Sequence, residues 1–455
     1  MNNLSLTAIS PLDGRYSEKL NDLRPVFSEY GLMKYRIIVE IRWLQVLANQ
    51  PDIPEVPKLS KQADKILENI ILNFSIQDAE RIKNIEKVTN HDVKAIEYFI
   101  KEHIAGNSEL ANISEFIHFG CTSEDINNLT YALMLKTART QFILPSLDNV
   151  IDSLKKLTKK YSDISMLSRT HGQAASPTTV GKEIANIIER LKRQIEQIST
   201  TPILGKLNGA TGNYNAMVAA YPNVDWTEIS KKFIKKLGLE WNPYTTQIEP
   251  HDYIAELLNN LSRVNTIIIG FDRDMWGYIS LNYFKLKSIK HEVGSSTMPH
   301  KINPIDFENS EGNLGMANAM FDHMAAKLPI SRWQRDLTDS TVLRNIGVGF
   351  AHSILAYKAT CKGLDKVDIN IEIINKDLNN HWEILAEAIQ TVMRKHKVEQ
   401  SYEKLKDFTR GKKITKELLH QFIDTLDLSR QIKQNLFKLT PENYIGYAKE
   451  LAKGV

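Results

Sequence analysis

The chain has 455 residues, of which 42% are hydrophobic and 25% are charged, a composition typical of a folded protein with two or three domains. The 58 Lys and Arg against 54 Asp and Glu give a formal charge of +4, spread without a long basic run, which argues against a nucleic-acid partner. No segment reaches the roughly 18 apolar residues of a membrane span, and the N-terminus lacks a charged region followed by an apolar stretch. We therefore expect a cytoplasmic protein without membrane contact.

Apolar residues at three- and four-residue spacing recur along the chain, whereas sustained alternation of apolar and polar residues is nearly absent. A long helix is predicted from Thr122, where Thr122 and Asp125 form a capping-box pattern, to an interruption at Pro145. Another should follow Pro177 as a first-turn proline and run toward Ser199.

The clearest helical pattern covers residues 251–280, where apolar side chains form a stripe on a helix much longer than average. A fourth long helix is predicted to start near Ile305, and shorter amphipathic helices such as 414–426 follow. These patterns predict an all-α fold with a central bundle of long helices. The expected domains are an N-terminal helical domain (1–120), the long-helix bundle (121–363) and a C-terminal helical cap (364–455).

Three loops of unusual composition separate these helices: SRTHGQ (168–173), LNGATGNYN (207–215) and GSSTMPHKINP (294–304). A glycine-serine segment by itself is usually a flexible linker. The third loop, however, continues with a methionine and two prolines, and Lys301 and Asn303 are two residues apart, so both can point to one side of an extended segment. Polar loops on a helical scaffold are common sites of chemistry.

The string GSSTMPHKINP resembles the signature loop of the fumarase/aspartase superfamily, whose members cleave carbon–nitrogen or carbon–oxygen bonds to release fumarate. TNHDVKA from Thr89, CTSEDINN from Cys121, SRTHGQ from Ser168 and RWQRDLTDSTVLRNIG from Arg332 resemble the adenylosuccinate lyase family within it. The N-terminal SPLDGRY segment is similar to the bacterial long form of that family, and His300 in the loop also favours this branch. The resemblance covers essentially the whole chain.

The resemblance implies an elimination in which Ser295 is the general base and His171 the general acid. An isolated hydroxyl is far too weakly acidic to ionise near neutral pH, so Lys301 and the amides of a closed loop would have to favour the alkoxide. Histidine suits the acid because its ordinary pKa lies near neutrality. From the residues alone, Ser296 competes for the role of base, and His91 for the role of acid.

The other implied residues support the reaction or hold the substrate. Glu308 is implied as the carboxylate partner of His171, and Lys301 and His91 are implied to support catalysis. Residues implied to stabilise the carbanion are Thr122, Ser123, Ser296, Lys301 and Asn303. Residues implied to hold the phosphate are Arg15, Tyr16, Arg335, Ser340 and Arg344. Further substrate contacts are implied for Asn90, His91, Asp92, Gln247 and Asn309.

The family implies two succinylated purine nucleotides as substrates, N6-succinyl-AMP and SAICAR, the succinyl-carboxamide ribotide, and it implies no cofactor. The sequence has no histidine–carboxylate spacing of a zinc or iron site, and its two cysteines suit neither a disulfide framework nor a paired metal motif, so no metal is expected. The family also implies a homotetramer in which each active site takes residues from three chains. Two alternatives remain: argininosuccinate lyase or another fumarate-releasing member, and a helical scaffold without catalytic activity.

Overall fold

The computed structural model describes residues 6–289, 297–298, 300–411 and 413–455. Helices dominate these ranges, which confirms the predicted all-α class, and the strands found there form short two-stranded sheets. Among the same residues, no helix is both long and apolar enough to span a membrane.

Long and short helices alternate along the chain, with short strands between some of them. The α-helices are α1 (Arg24–Phe27), α2 (Glu29–Leu47), α3 (Lys61–Leu72), α4 (Ile76–Thr89), α5 (Asp92–Ile104), α6 (Ser108–Asn112), α7 (Ser123–Ala138), α8 (Leu144–Lys160), α9 (Val180–Thr200), α10 (Asn215–Ala220), α11 (Trp226–Lys236), α12 (Asp252–Ser280), α13 (Ile305–Lys327), α14 (Thr338–Leu343), α15 (Ile346–Lys366), α16 (Ile371–Asn379), α17 (Ala386–Lys395), α18 (Ser401–Thr409), α19 (Lys416–Thr425), α20 (Arg430–Phe437) and α21 (Ala448–Lys453). The strands are β1 (Ser165–Thr170), β2 (Gln173–Thr179), β3 (Leu204–Gly205), β4 (Glu240–Trp241), β5 (Phe284–Leu286) and β6 (Val367–Ile369). Segments of 3₁₀-helix are Ser17–Leu23, Ser114–Phe116 and Trp382–Leu385, and Arg139–Ile143 is a π-helix.

Helix α12 begins and ends close to its predicted limits, and α13 begins at Ile305 as predicted, but the prediction at Pro145 was wrong. The chain stays helical through that residue, because the π-helix Arg139–Ile143 joins α7 to α8. The amide of Leu144 donates to the carbonyl of Arg139, five residues earlier. This wider turn takes up the local misfit that a proline causes, so the helix continues where a regular α-helix would break.

The prediction at Pro177 was also wrong, because this residue lies in strand β2 rather than in the first turn of a helix. Strands β1 and β2 pair antiparallel, and their register shifts between Met166 and Ser168. A two-stranded sheet consists of edge strands, where a proline without an amide hydrogen is tolerated. The following helix, α9, therefore starts three residues later, at Val180.

The chain divides into two compact units. Unit 1 comprises Met1–Ser146, Gln194–Thr266 and Asn313–Ala356, and unit 2 comprises Leu147–Arg193, Ile267–Gly312 and Tyr357–Val455. The three-domain division expected from the sequence remains a prediction.

Each unit has its own apolar core. In unit 1 the buried Trp43 on α2 packs against Phe233 with 5.3 Å between ring centres, and its indole N–H donates to the carbonyl of Phe119 at 3.0 Å. In unit 2 the C-terminal helices α16 to α20 surround Ile389, Met393 and other buried aliphatic side chains. Burial of each such side chain contributes about 1.5–3 kcal/mol, so these cores stabilise the elements that carry the loops.

Candidate active site

The turn between α4 and α5 carries three predicted substrate residues. Asn90 ends α4 in the left-handed region at φ 50°, a conformation that asparagine tolerates better than most residues. His91 then caps α5, because its Nδ1 accepts the amide of Lys94 at 3.0 Å. In the neutral ring the proton therefore lies on Nε2, and the exposed side chain can donate it to a ligand.

Asp92, the first residue of α5, is held by two arginines. Its Oδ2 accepts from Nη2 of Arg36 and from Nη2 of Arg344, both at 2.8 Å. Burial alone would raise the pKa of Asp92, but the adjacent charges of Arg36 and Arg344 outweigh burial and lower it. Asp92 is therefore a carboxylate near neutral pH.

A second set of polar contacts connects Gln247 with the segment before α14. Nη1 of Arg335 donates to Oε1 of Gln247 at 3.2 Å, and Nη2 lies 3.0 Å from Oε1 of Glu124. The same oxygen of Glu124 accepts from Nδ2 of Asn127 at 2.8 Å, and Oδ1 of Asn127 accepts from Nε of Arg36 at 2.9 Å. Arg36 also donates to Asp92, so these contacts are continuous with those of Asp92.

We call this continuous set the polar chain, and it lies entirely in unit 1. Its members in order are Gln247, Arg335, Glu124, Asn127, Arg36, Asp92 and Arg344. It brings together four residues that the sequence assigned to the substrate: Gln247, Arg335, Asp92 and Arg344.

The N-terminus of α7 presents Thr122 and Ser123, and the predicted capping box is present there. Asp125 accepts the amide of Thr122 at 2.8 Å and the amides of two residues of the 207–215 loop at 3.0 and 3.1 Å. The ammonium of Lys206 lies 3.0 Å from the same carboxylate, and both side chains are fully buried. Asp125 thus fixes the start of α7, the end at which the helix dipole is positive.

The other predicted phosphate ligands of unit 1 lie near its surface. The amide of Ser340 donates to Oδ1 of Asp339 at 2.7 Å in α14. Arg15 is exposed beside the ring of Tyr16, with 6.0 Å between the guanidinium carbon and the ring centre. Because Arg15 is exposed, its guanidinium is accessible to solvent and hence to an anionic group.

In unit 2, His171 lies at the tip of the β1–β2 hairpin rather than in the irregular loop that the sequence predicted. His171 and Gly172 form the two-residue connection and both have positive φ, 53° and 74°. Both central residues of a type I′ turn have positive φ, and this turn matches the twist of paired strands. Close to the tip, Nη2 of Arg169 on β1 donates to Asp377 at 2.6 Å. The imidazole is thus held out into solvent on an anchored hairpin.

The predicted bases Ser295 and Ser296 lie outside the described residues. Among the residues after them, Lys301 is exposed and its amide donates to the carbonyl of Met298 at 3.0 Å. Asn303 is partly buried in the segment before α13 and lines a small pocket with Asp306, which Lys366 pairs at 2.9 Å.

The predicted partnership between Glu308 and His171 is not formed within the chain. In the first turn of α13, Oε1 of Glu308 accepts instead from the indole of Trp276 at 3.2 Å, and Asn309 follows it, partly buried. Within one chain, the residues that the structure describes include no hydrogen bond or ion pair between His171 and Glu308.

The sequence analysis did not identify four residues that support the predicted substrate-binding segments: Arg36, Glu124, Asn127 and Lys206. One usable signal existed for Arg36. It follows Met33 by three residues on a helix whose inner face is apolar, and a charge at such a position is rarely buried without a partner. The sequence could have shown that Arg36 is paired, but not with which residues.

Comparisons with solved structures define the class of fold. The fumarate lyase from Mesorhizobium sp. BNC1 superposes with a TM-score of 0.77 at 16% identity, covering 95% of this chain and 97% of that one. The 3-carboxy-cis,cis-muconate lactonizing enzyme from Pseudomonas putida superposes with a TM-score of 0.73 at 17% identity, covering 95% and 96%. The fold is therefore that of the fumarate lyases.

Sequence comparisons narrow the class to one family. The Lyase family model matches residues 14–320, and the model of the adenylosuccinate lyase C-terminal region matches residues 331–445. The adenylosuccinate lyase of Haemophilus influenzae is 60% identical over 449 residues, 99% of this chain and 98% of the relative. That of Escherichia coli K12 is 59% identical over 444 residues, 98% and 97% respectively. The chain belongs to the adenylosuccinate lyase family, as its motifs predicted.

Proposed function

We propose that the chain cleaves N6-succinyl-AMP to AMP and fumarate, and SAICAR to AICAR and fumarate, by anti elimination. The observation that carries this proposal is the identity of about 60% to adenylosuccinate lyases over nearly the whole chain. The polar chain supports it, because residues 247, 335, 92 and 344, all expected at the substrate, meet in one hydrogen-bonded set.

The hard step is removal of a proton beside a carboxylate, because the resulting carbanion is stabilised only by delocalisation into that carboxylate. Donors placed in advance around the carboxylate lower this barrier. In our proposal the hydroxyls of Thr122, Ser123 and Ser296 supply such donors, together with Lys301 and Asn303. The anchored start of α7 adds the positive end of its helix dipole.

In the proposed mechanism Ser295 removes the proton and His171 protonates the departing nitrogen. The exposed hairpin tip suits an acid that must reach a substrate held by other segments. The partner of the His171 imidazole would be Glu308 of another chain, in a homotetramer whose sites each take residues from three chains. Phosphate would be held by Arg15, Tyr16, Arg335, Ser340 and Arg344. We expect the enzyme in the cytoplasm.

The test of the reaction is to add the purified protein to N6-succinyl-AMP or SAICAR and to follow purine absorbance and fumarate together. Equal amounts of purine product and fumarate are expected with both substrates. Fumarate released from argininosuccinate, but from neither purine substrate, would favour the alternative lyase. No fumarate from any of the three would favour a non-enzymatic scaffold.

The test of the two catalytic roles uses His171→Ala and Ser295→Ala, with His396→Ala as a surface control. Each of the first two should lower kcat by about 10²- to 10⁴-fold with little change in substrate binding, whereas the control keeps full turnover. Full turnover in either catalytic variant would refute that assignment.

Mixing the two inactive proteins should restore part of the activity if each active site takes residues from more than one chain. No recovery after proven subunit exchange would refute such sharing.

A further inference from the structure

Arg36 is the junction of the polar chain. It lies on α2 and is only 2% exposed. Its Nη2 donates to Asp92 at 2.8 Å and its Nε to Asn127 at 2.9 Å, so one guanidinium joins two arms. The first arm continues from Asp92 to Arg344, and the second continues from Asn127 through Glu124 to Arg335.

The two arginines on Asp92 differ in their freedom to move. The Arg344 side chain is 36% exposed and also pairs with Glu29, whereas the Arg36 side chain is 3% exposed. An exposed arginine can turn toward an incoming anion at small cost. A buried guanidinium cannot leave its partners, because an unpaired buried charge costs several kcal/mol. Arg36 is therefore the fixed counter-charge of Asp92, and Arg344 is the exchangeable one.

We propose that Arg36 is a positioning residue that holds Asp92 and the Asn127–Glu124 arm in place, so that Arg344 and Arg335 can bind the anionic substrate. This inference rests on the proposed function. In the free protein, Arg344 shares the carboxylate of Asp92. When the substrate phosphate draws Arg344 away, Arg36 keeps that carboxylate charged and oriented.

The charges around Asp92 predict that loss of Arg36 would change the pH dependence of substrate binding. Arg36 faces Asp92 from α2 and Arg344 faces it from the segment after α14. Glu29 at the start of α2 and Tyr131 on α7 lie near Arg344. With Arg36 removed and Arg344 on the substrate, the amide of Val93 would still favour the carboxylate of Asp92, but burial would raise its pKa without either arginine to oppose it. Substrate binding should then weaken at the acidic end of the pH range.

The experiment compares Arg36→Met and Arg36→Lys with the unaltered enzyme, using N6-succinyl-AMP between pH 6 and 9. Arg42→Met is the matched control, because Arg42 also lies on α2 and pairs with a carboxylate, its Nη2 being 2.9 Å from Oε2 of Glu68. Circular dichroism and oligomer size verify that each variant is folded.

Arg36→Met should lower kcat/KM by roughly 10- to 100-fold, mainly through KM, because displaced ligands weaken binding of the substrate. Its KM should also rise further as the pH falls toward 6. Arg36→Lys restores a charge beside Asp92 but cannot hold both arms, so its KM should stay raised while the added pH dependence disappears. Arg42→Met should keep the KM and pH profile of the unaltered enzyme.

A folded Arg36→Met with unchanged KM and an unchanged pH profile would overturn the inference. If that variant does not fold, Arg36→Lys decides, because an unchanged KM there has the same meaning. A shift caused equally by Arg42→Met would indicate a general effect on α2 and would also overturn it. An unaltered enzyme that releases no fumarate from either purine substrate would instead refute the proposed function.

Discussion

Asp272 is a buried carboxyl among the long helices of unit 2, and its protonation should make the stability of the protein depend on pH. This carboxyl lies on α12 and is 1% exposed. Its Oδ1 accepts from the hydroxyl of Thr360 on α15 at 3.3 Å, and that hydroxyl lies 2.7 Å from the hydroxyl of Ser310 on α13. Burial raises the pKa of Asp272 from 3.8 to about 8, so the folded protein keeps it protonated at neutral pH.

The effect on stability follows from the two states of this carboxyl. Below pH 3.8 both the folded and the unfolded chain carry the proton, and the group adds no pH dependence. Above that value only the folded chain keeps it, so the free energy of unfolding falls by about 1.4 kcal/mol per pH unit until about pH 8. At pH 7 the cost of burying Asp272 is therefore about 4 kcal/mol.

Asp272→Asn should remove this cost, because an amide has the shape of a protonated carboxyl and no charge to lose. Its oxygen can still accept from Thr360. We expect a gain of up to about 4 kcal/mol in the free energy of unfolding at pH 7, and a flatter dependence between pH 5 and 8. Urea unfolding at several pH values, followed by circular dichroism, measures both quantities.

Asp252→Asn is the control, since it removes an exposed carboxylate from the first turn of the same helix. It should lower stability by less than about 1 kcal/mol through the helix dipole, and it keeps the buried carboxyl, so the pH dependence caused by Asp272 should remain. Equal slopes for Asp272→Asn and the unaltered protein would refute the reasoning.

Two further predictions concern the segments that carry the candidate site. Lys206→Met leaves the buried carboxylate of Asp125 unpaired, so the free energy of unfolding in urea should fall by about 3–5 kcal/mol. Adding Asp125→Asn should restore part of this loss. A fall of less than about 1 kcal/mol would contradict a buried ion pair. Gly172→Ala places a Cβ in open space but at φ 74°, so it should cost about 1–2 kcal/mol of local stability and speed amide exchange in the hairpin. Unaltered exchange there would contradict the left-handed turn at residues 171 and 172.

The sequence predicted the helical elements where periodic patterns were long, and it failed where one proline decided the outcome. The stripe on residues 251–280 is enough to define α12, because one apolar face determines a helix. At Pro145 the chain avoids a break with a π-helix, and at Pro177 it uses an edge strand. Both outcomes depend on local hydrogen bonding that the hydrophobic pattern does not encode.

The candidate site was predicted one residue at a time, but its connections were not. Arg36 and Asp92 are 56 positions apart, and Arg344 and Asp92 are 252 apart, so no local spacing could have paired them. The motifs supplied the members that we propose to contact the substrate, which are Gln247, Arg335, Asp92 and Arg344. The buried members, Glu124 and Asn127, join them only after the helices have packed.

The left-handed backbone at Asn90 and His171 has a consequence for laboratory evolution. The left-handed region costs most residues with a side chain about 1–2 kcal/mol, and asparagine less, whereas glycine adopts it without strain. A selection for heat resistance alone would therefore accept glycine at both positions, and with it the loss of an amide and an imidazole in the proposed site. If the proposed function is correct, only a selection that also requires turnover would retain these two side chains.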